Sequence, residues 1–213
     1  MVSIRRYRPG DRAAVYDICI RTGRCGGDAR PLYRDPNLLP EIFAGPYLVF
    51  EPGLAFVLAD ESDRAVGYIL GTSDTPAFVR WFRDTWLPVV AERYPAPAAG
   101  AGQAPGGDAS ALERFMLGLL HAPERMLVDQ VRDHPAHLHI DILPEHQGGG
   151  HGRALMTAFI GALRQAGVPA LHLSMDPANE SARRFYDRMG FQPVEVPGSG
   201  ATFLWRTVQG DAT

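Results

Sequence analysis

The chain has 213 residues, 46% of them hydrophobic, and a formal net charge of -3 at pH 7. That apolar content suits a packed core and excludes a disordered chain, while the mildly acidic balance argues against nucleic acid as a partner, which calls for a basic field. No apolar run reaches the roughly 18 residues of a membrane span and no charged stretch leads into an apolar one at the start; with two cysteines, Cys19 and Cys25, too few for a disulfide framework, a cytoplasmic protein without membrane contact is expected.

The elements follow in order. Val2 to Tyr7 reads as a strand, and Arg8-Pro9-Gly10-Asp11 as a turn with Asp11 a candidate N-cap. Ala14, Val15, Ile18 and Cys19 recur at helical spacing within Arg12 to Arg24. A breaker-rich loop precedes a short helix over Leu38 to Ala44. "LAFVLAD" and "AVGYILGTS", joined by "ESDR", predict an antiparallel hairpin. Then Phe78, Trp81, Phe82, Trp86 and Val89 share a helical face, with Pro88 set to kink or end the helix. Residues 96–108 are a low-complexity Pro/Gly/Ala linker. Ser110 and Glu113 have capping-box spacing at the start of a further helix. His137 to Leu143 predicts a strand, Gly150 to Ala166 a helix with Leu155, Met156, Phe159 and Leu163 on one side, and Leu171 to Met175 a strand. "ANESARRFYDRMGF" predicts a helix closed by Gly190, before two terminal strands. The order is β-α-α-β-β, an insertion over about 75–135, then β-α-β-α-β-β: an α/β fold in one domain, 1–213.

Four glycines stand within five residues in "QGGGHGR", between a strand and a helix. A Walker loop needs Lys and then Ser/Thr after its last glycine, and Arg153 and Ala154 stand there. A dinucleotide fingerprint needs a sixth-position glycine, and Arg153 or Leu155 stands there. Gln147, Gly150 and Gly152 do satisfy Q-x-x-G-x-G. A helix N-terminus has unpaired N–H groups and positive partial charge, and glycines let a pyrophosphate approach them. Arg153 adds a charge. The same loop also suits a plain strand-to-helix connection. Downstream, Asn179, Ala182, Phe185 and Tyr186 fall on one helical face of N-x-x-A-x-x-F-Y-x-x-x-G-F.

Together the two motifs resemble the GNAT N-acyltransferases. The resemblance implies a mixed sheet flanked by helices, with a helical insertion between the third and fourth strands. It implies acetyl-CoA as co-substrate, its pyrophosphate on Gln147, Gly148, Gly149, Gly150, His151, Gly152 and Arg153. The pantetheine arm would lie along Ile142 and Leu143 and contact Asn179, Ala182 and Phe185. Tyr186 would protonate the departing thiolate. "GYILGTSDTPAFVRWFRDTWLPVVAERYP" and "LHIDIL" are more narrowly similar to the acetyltransferase-like C-terminal domain of O-GlcNAcases and its free-standing bacterial relatives.

Such chemistry needs a thiolate acid, an oxyanion donor and a base. Tyr186 is the acid and a backbone N–H near Leu143 the donor. Asp141, a carboxylate in an apolar strand, is the first candidate for base or acceptor anchor, and Asp176 the second. His139 shares a face with Asp141 and reads as a satisfied core histidine. The loop carrying Asp28, Tyr33 and Asp35 would rim the acceptor side. No HExxH or Cys-rich spacing accompanies the histidines, so no metal is expected. The resulting reading is acetyl transfer to a primary amine of a small molecule or peptide, by a monomer or homodimer. A weakly active or inactive module binding acyl-CoA or protein is the alternative.

Overall fold

The computed structural model describes residues 2–97 and 108–209. Their elements are β1 (Ser3–Arg6), α1 (Arg12–Thr22), α2 (Leu38–Phe43), α3 (Gly45–Phe50), β2 (Phe56–Ala59), β3 (Ala65–Thr72), α4 (Thr75–Trp81), α5 (Leu87–Ala91), α6 (Asp108–His121), β4 (Ala136–Ile142), α7 (His151–Gln165), β5 (Ala170–Met175), α8 (Glu180–Arg188), β6 (Gln192–Val194) and β7 (Thr202–Thr207). The strands form one mixed sheet in the order β1-β2-β3-β4-β5-β7-β6. Neighbours are antiparallel except β4 and β5, which run parallel.

That parallel pair is short. Ala136 pairs with Leu171 and His137 with His172, and from Leu138 onward the strands separate. The sheet therefore opens at its centre, on the side where the glycine loop leaves β4. Side chains alternate along β4. His137, His139 and Asp141 face α1 and α3, while Leu138, Ile140 and Ile142 face α7, whose Leu155, Met156, Phe159 and Leu163 are fully buried.

Four local expectations are corrected. The segment after Leu38 forms two helices, because Ala44 leaves helical geometry (φ -134°, ψ -61°) and Pro46 starts a second one. That second helix brings Tyr47 onto Phe78, the rings stacked at 4.4 Å. Secondly, Pro88 neither ends nor sharply breaks its helix. A wide π turn over Phe82–Trp86 precedes it, absorbing the donor that proline lacks. The extra residue shifts the helical phase, so Leu87 and Val90 are buried and Val89 is 70% exposed. Thirdly, Asp11 does not cap α1 with its side chain. It holds Arg5 at 2.7 and 2.8 Å and accepts from the Arg8 N–H at 2.8 Å, tying β1 to the turn. Lastly, α6 begins at Asp108. The Ser110 side chain needed for a capping box and most of the 96–108 linker lie outside the described residues. No helix among the described residues is long and apolar enough to cross a membrane.

Candidate active site

The opening between β4 and β5 is a cleft of about 430 Å³, within the range of ligand pockets. One wall is the end of β4 and the glycine loop. Leu143 is 1% exposed and its N–H donates to the Val66 carbonyl at 3.0 Å. Its side chain is thus core and its own N–H is taken, which leaves the donor expected near Leu143 to a neighbouring peptide. An antiparallel ladder alternates. Since Leu143 bonds to β3, Ile142 and Ile140 turn their peptide groups away from β3, toward the gap. The Gln147 side-chain amide donates to the Ile142 carbonyl at 2.8 Å and ties the loop to the strand.

Gly148 (φ 82°) and Gly150 (φ 78°) occupy left-handed conformations that side chains resist, and Gly150 is the residue before α7. A Cβ at Gly152 would sit 3.1 Å from the Phe185 ring, so this glycine lets α8 close on α7. Gly148, Gly150, His151, Gly152 and Arg153 all line the cleft; Gly149 does not, since a Cβ there would meet the His151 ring at 2.6 Å. Arg153 forms no ion pair among the described residues.

The opposite wall is α8. Asn179 caps it by accepting from the Ala182 N–H at 3.0 Å. Asn179, Ala182, Phe185 and Tyr186 all line the cleft, as their spacing predicts. Tyr186 is 8% exposed, wedged by Phe185 and Phe191 at 5.3 Å each. Its hydroxyl makes no hydrogen bond among the described residues. Burial, then the charge of Asp141, pushes its pKa up, so it keeps its proton.

Asp141 also lines the cleft. It accepts a 2.6 Å hydrogen bond from the Tyr68 hydroxyl, its direct partner on β3. Burial pushes the carboxyl up to about 6, with hydrogen bonds from Tyr68 and Thr22 acting the other way. Next along the same face, Tyr47 Oη lies 3.1 Å from His139 Nε2 and 2.7 Å from His137 Nε2. His172 Nδ1 meets the His134 carbonyl at 2.7 Å. Each of these three histidines thus has a protein partner.

The expected acceptor rim is not gathered at the cleft. Asp28 pairs with Arg30 at 2.5 Å. Tyr33 is buried in the core. Asp35 is taken by Arg93 at 2.6 Å and Tyr94 at 2.7 Å. Asp176 accepts from the Ala178 N–H at 2.8 Å as a turn residue and touches the Cys25 thiol at 3.8 Å. What lines the cleft from the α1 side is instead Thr22, Cys25 and Gly26, with Ser181, Arg188 and Met189 on the α8 side. The only sequence signal for the former was the Gly26-Gly27 pair, which marks a turn and no ligand; for Arg188, its place one turn past Arg184 on an exposed helix face.

A fold with a strand pair splayed at its centre, a glycine loop on one side and a tyrosine helix on the other defines an acyltransferase architecture. A model of the acetyltransferase (GNAT) family matches residues 116–191. Over the whole molecule the chain is similar to the solved structure of SsHAT, at 52% identity and a TM-score of 0.89, covering 98% of this chain and 99% of that one. The chain belongs to the GNAT acetyltransferase family. It is also 27% identical to the Rattus norvegicus protein O-GlcNAcase over 197 residues, 92% of this chain and 21% of that protein; the chain thus spans about a fifth of that relative. The fold alone is shared with a putative acetyltransferase, yncA of Salmonella typhimurium, solved with acetyl-CoA (TM-score 0.56, 16% identity, covering 100% and 97% of the two chains).

Proposed function

We propose that this protein binds acetyl-CoA and transfers the acetyl group to a primary amine of a small-molecule or peptide acceptor. The observation that carries the reading is Tyr186: a nine-tenths buried side chain whose hydroxyl has no protein partner, lining the same cleft as the Gln147–Arg153 loop. The ring is packed away while the hydroxyl itself stays free and open, so a ligand sulfur or carbonyl in the cleft can meet it.

The pyrophosphate rests on the N–H groups at the start of α7, with Arg153 beside it. The pantetheine arm follows Ile140 and Ile142, whose peptide groups face the gap, the Ile142 carbonyl being already held by Gln147. The Ile142 N–H is the donor for the developing oxyanion. Asp141 anchors the acceptor, ionised above about pH 6. The amine nitrogen attacks the thioester carbon, the tetrahedral intermediate expels the thiolate, and Tyr186 protonates the sulfur.

The test is free-thiol release from acetyl-CoA in the presence of a panel of primary amines. Amine-dependent release, slowed in Tyr186→Phe, is the expected result. Acetyl-CoA binding without release by any amine leaves a binding module instead.

A further inference from the structure

We infer that His139 is the base that takes the proton of the attacking amine, through Nδ1. Tyr47, His137 and Thr75 act as positioning residues that hold its ring in the tautomer exposing that lone pair. The inference rests on the acyl-transfer reading above and extends it to a group that sequence alone marks as a core histidine.

The tautomer follows from one fixed end. The Pro135 carbonyl can only accept. Thr75 Oγ1 lies 2.7 Å from it, so the hydroxyl hydrogen lies on that line. Toward His137 Nδ1, 2.7 Å away, Thr75 is then an acceptor, and Nδ1 carries the proton. Burial holds His137 neutral, which leaves its Nε2 bare. The Tyr47 hydroxyl, 2.7 Å from that nitrogen, donates to it. With its single hydrogen used, Tyr47 accepts from the Nε2–H of His139 at 3.1 Å. A neutral His139 protonated on Nε2 has its lone pair on Nδ1. That atom has no hydrogen-bond partner among the described residues. Nor is it buried: the sole buried, unpartnered side-chain nitrogen or oxygen among them is His134 Nδ1. The ring is part-buried, and Nδ1 is the nitrogen left free to take a proton.

The position also fits. His137 is the last residue that β4 shares with β5, so His139 stands where the gap opens. It lies two residues, about 7 Å, from Asp141 on the same face. Asp141 lines the cleft and His139 follows it on the same strand face, just beyond the cleft lining, where an acceptor anchored on Asp141 would extend. Phe43 of α2 seats the ring edge-on at 5.6 Å. Tyr47 of α3, His137 of β4 and Arg125 of the turn before β4 are the titratable or charged groups facing it. Burial and then the Arg125 charge pull the imidazole down to about 4, so the ring is neutral at pH 7.

In the step, the amine nitrogen forms the C–N bond and the carbonyl electron pair moves to oxygen. The nitrogen becomes acidic as it gains positive charge, and its proton passes to His139 Nδ1. The C–S bond breaks, the oxygen pair re-forms the carbonyl, and the sulfur takes a proton from Tyr186. Solvent then returns one proton from His139 to Tyr186. One acetyl-CoA and one amine give one amide and one free thiol.

Two variants separate base from scaffold. Gln at position 139 retains an amide donor toward Tyr47 and lacks a base, and Ala at that position leaves room for added imidazole. With acetyl-CoA and the primary-amine panel, His139→Gln is expected to lower kcat by about 10²–10⁴-fold with unchanged acetyl-CoA affinity. Imidazole is expected to restore turnover to His139→Ala. In the long-range proton–nitrogen spectrum of the whole protein at pH 7, His139 should show a proton on Nε2, and Tyr47→Phe should mix its tautomers. His139→Gln with wild-type kcat, or a proton on Nδ1, overturns the assignment and leaves the acyl-transfer reading intact. A wild type that binds acetyl-CoA yet turns over no amine overturns both.

Discussion

The cleft and the polar face of β4 beyond it, the proposed acceptor side, are built in opposite ways. The cleft uses backbone: glycines in left-handed conformations, the first N–H groups of α7 and the outward peptide groups of Ile140 and Ile142. The polar face uses side chains from distant parts of the chain: Tyr68 on Asp141, Tyr47 on His137 and His139, Thr75 on His137. Backbone binding needs only a local run with the right conformations. An interlocked polar face needs the whole fold, and a group in it is hard to remove without stranding a partner.

That contrast can be broken at several points. The largest effect is expected for Tyr186→Phe, which keeps the ring packing and removes the proton donor proposed for the sulfur. Steady-state thiol release should show kcat lower by about 10²–10⁴-fold, with acetyl-CoA affinity nearly unchanged. Gly152→Val comes next. Its side chain meets Phe185, so denaturant unfolding should show a loss of about 1–3 kcal/mol, and acetyl-CoA affinity should fall as α8 is pushed from α7. Wild-type affinity in Gly152→Val would show that α8 does not need this closeness.

On the polar face, Tyr47→Phe leaves the His137 Nε2 without a donor and the His139 N–H without an acceptor. Denaturant unfolding should register a loss of about 1–3 kcal/mol. Asp141→Asn tests a pH effect whose sign is fixed. The carboxyl rises from about 3.9 unfolded to about 6 folded, so the folded state keeps a proton that the unfolded state has lost. The stability from this group is complete below about pH 4 and declines as pH rises through 6, by on the order of 3 kcal/mol. The Asn variant should flatten that decline in unfolding curves taken across the window. The smallest effect is expected for Asp28→Ala, whose exposed pairing with Arg30 contributes little. It should leave kcat/KM within about twofold, since screened surface pairs rarely count for more.

The same division explains what was legible in the sequence. The lining of the cleft is readable because Gln147, Gly150 and Gly152 fall within six residues and Asn179, Ala182, Phe185 and Tyr186 share one helical face. The order of strands and helices followed from alternation and turn residues. Leu143 misled because period-two alternation gives the face of a side chain and not which neighbour its N–H bonds. Asp28, Tyr33 and Asp35 misled because Arg30, the core and the Arg93–Tyr94 pair claim them, and these partners are set by tertiary folding. His139 read as core for the same reason: Tyr47, which fixes its tautomer, stands 92 residues away. Val89 was placed on the wrong face because a π turn inserts a phase shift that no 3.6-residue period contains.

The most direct test of the central claim is calorimetric titration of the pure protein with acetyl-CoA, beside a Gly150→Glu/Gly152→Glu variant. Saturable one-site binding is expected in the wild type and none in the variant, whose carboxylates occupy the pyrophosphate seat. Wild-type protein that takes up no acetyl-CoA, or a variant that binds it equally well, would show that the glycine loop is not the coenzyme's seat.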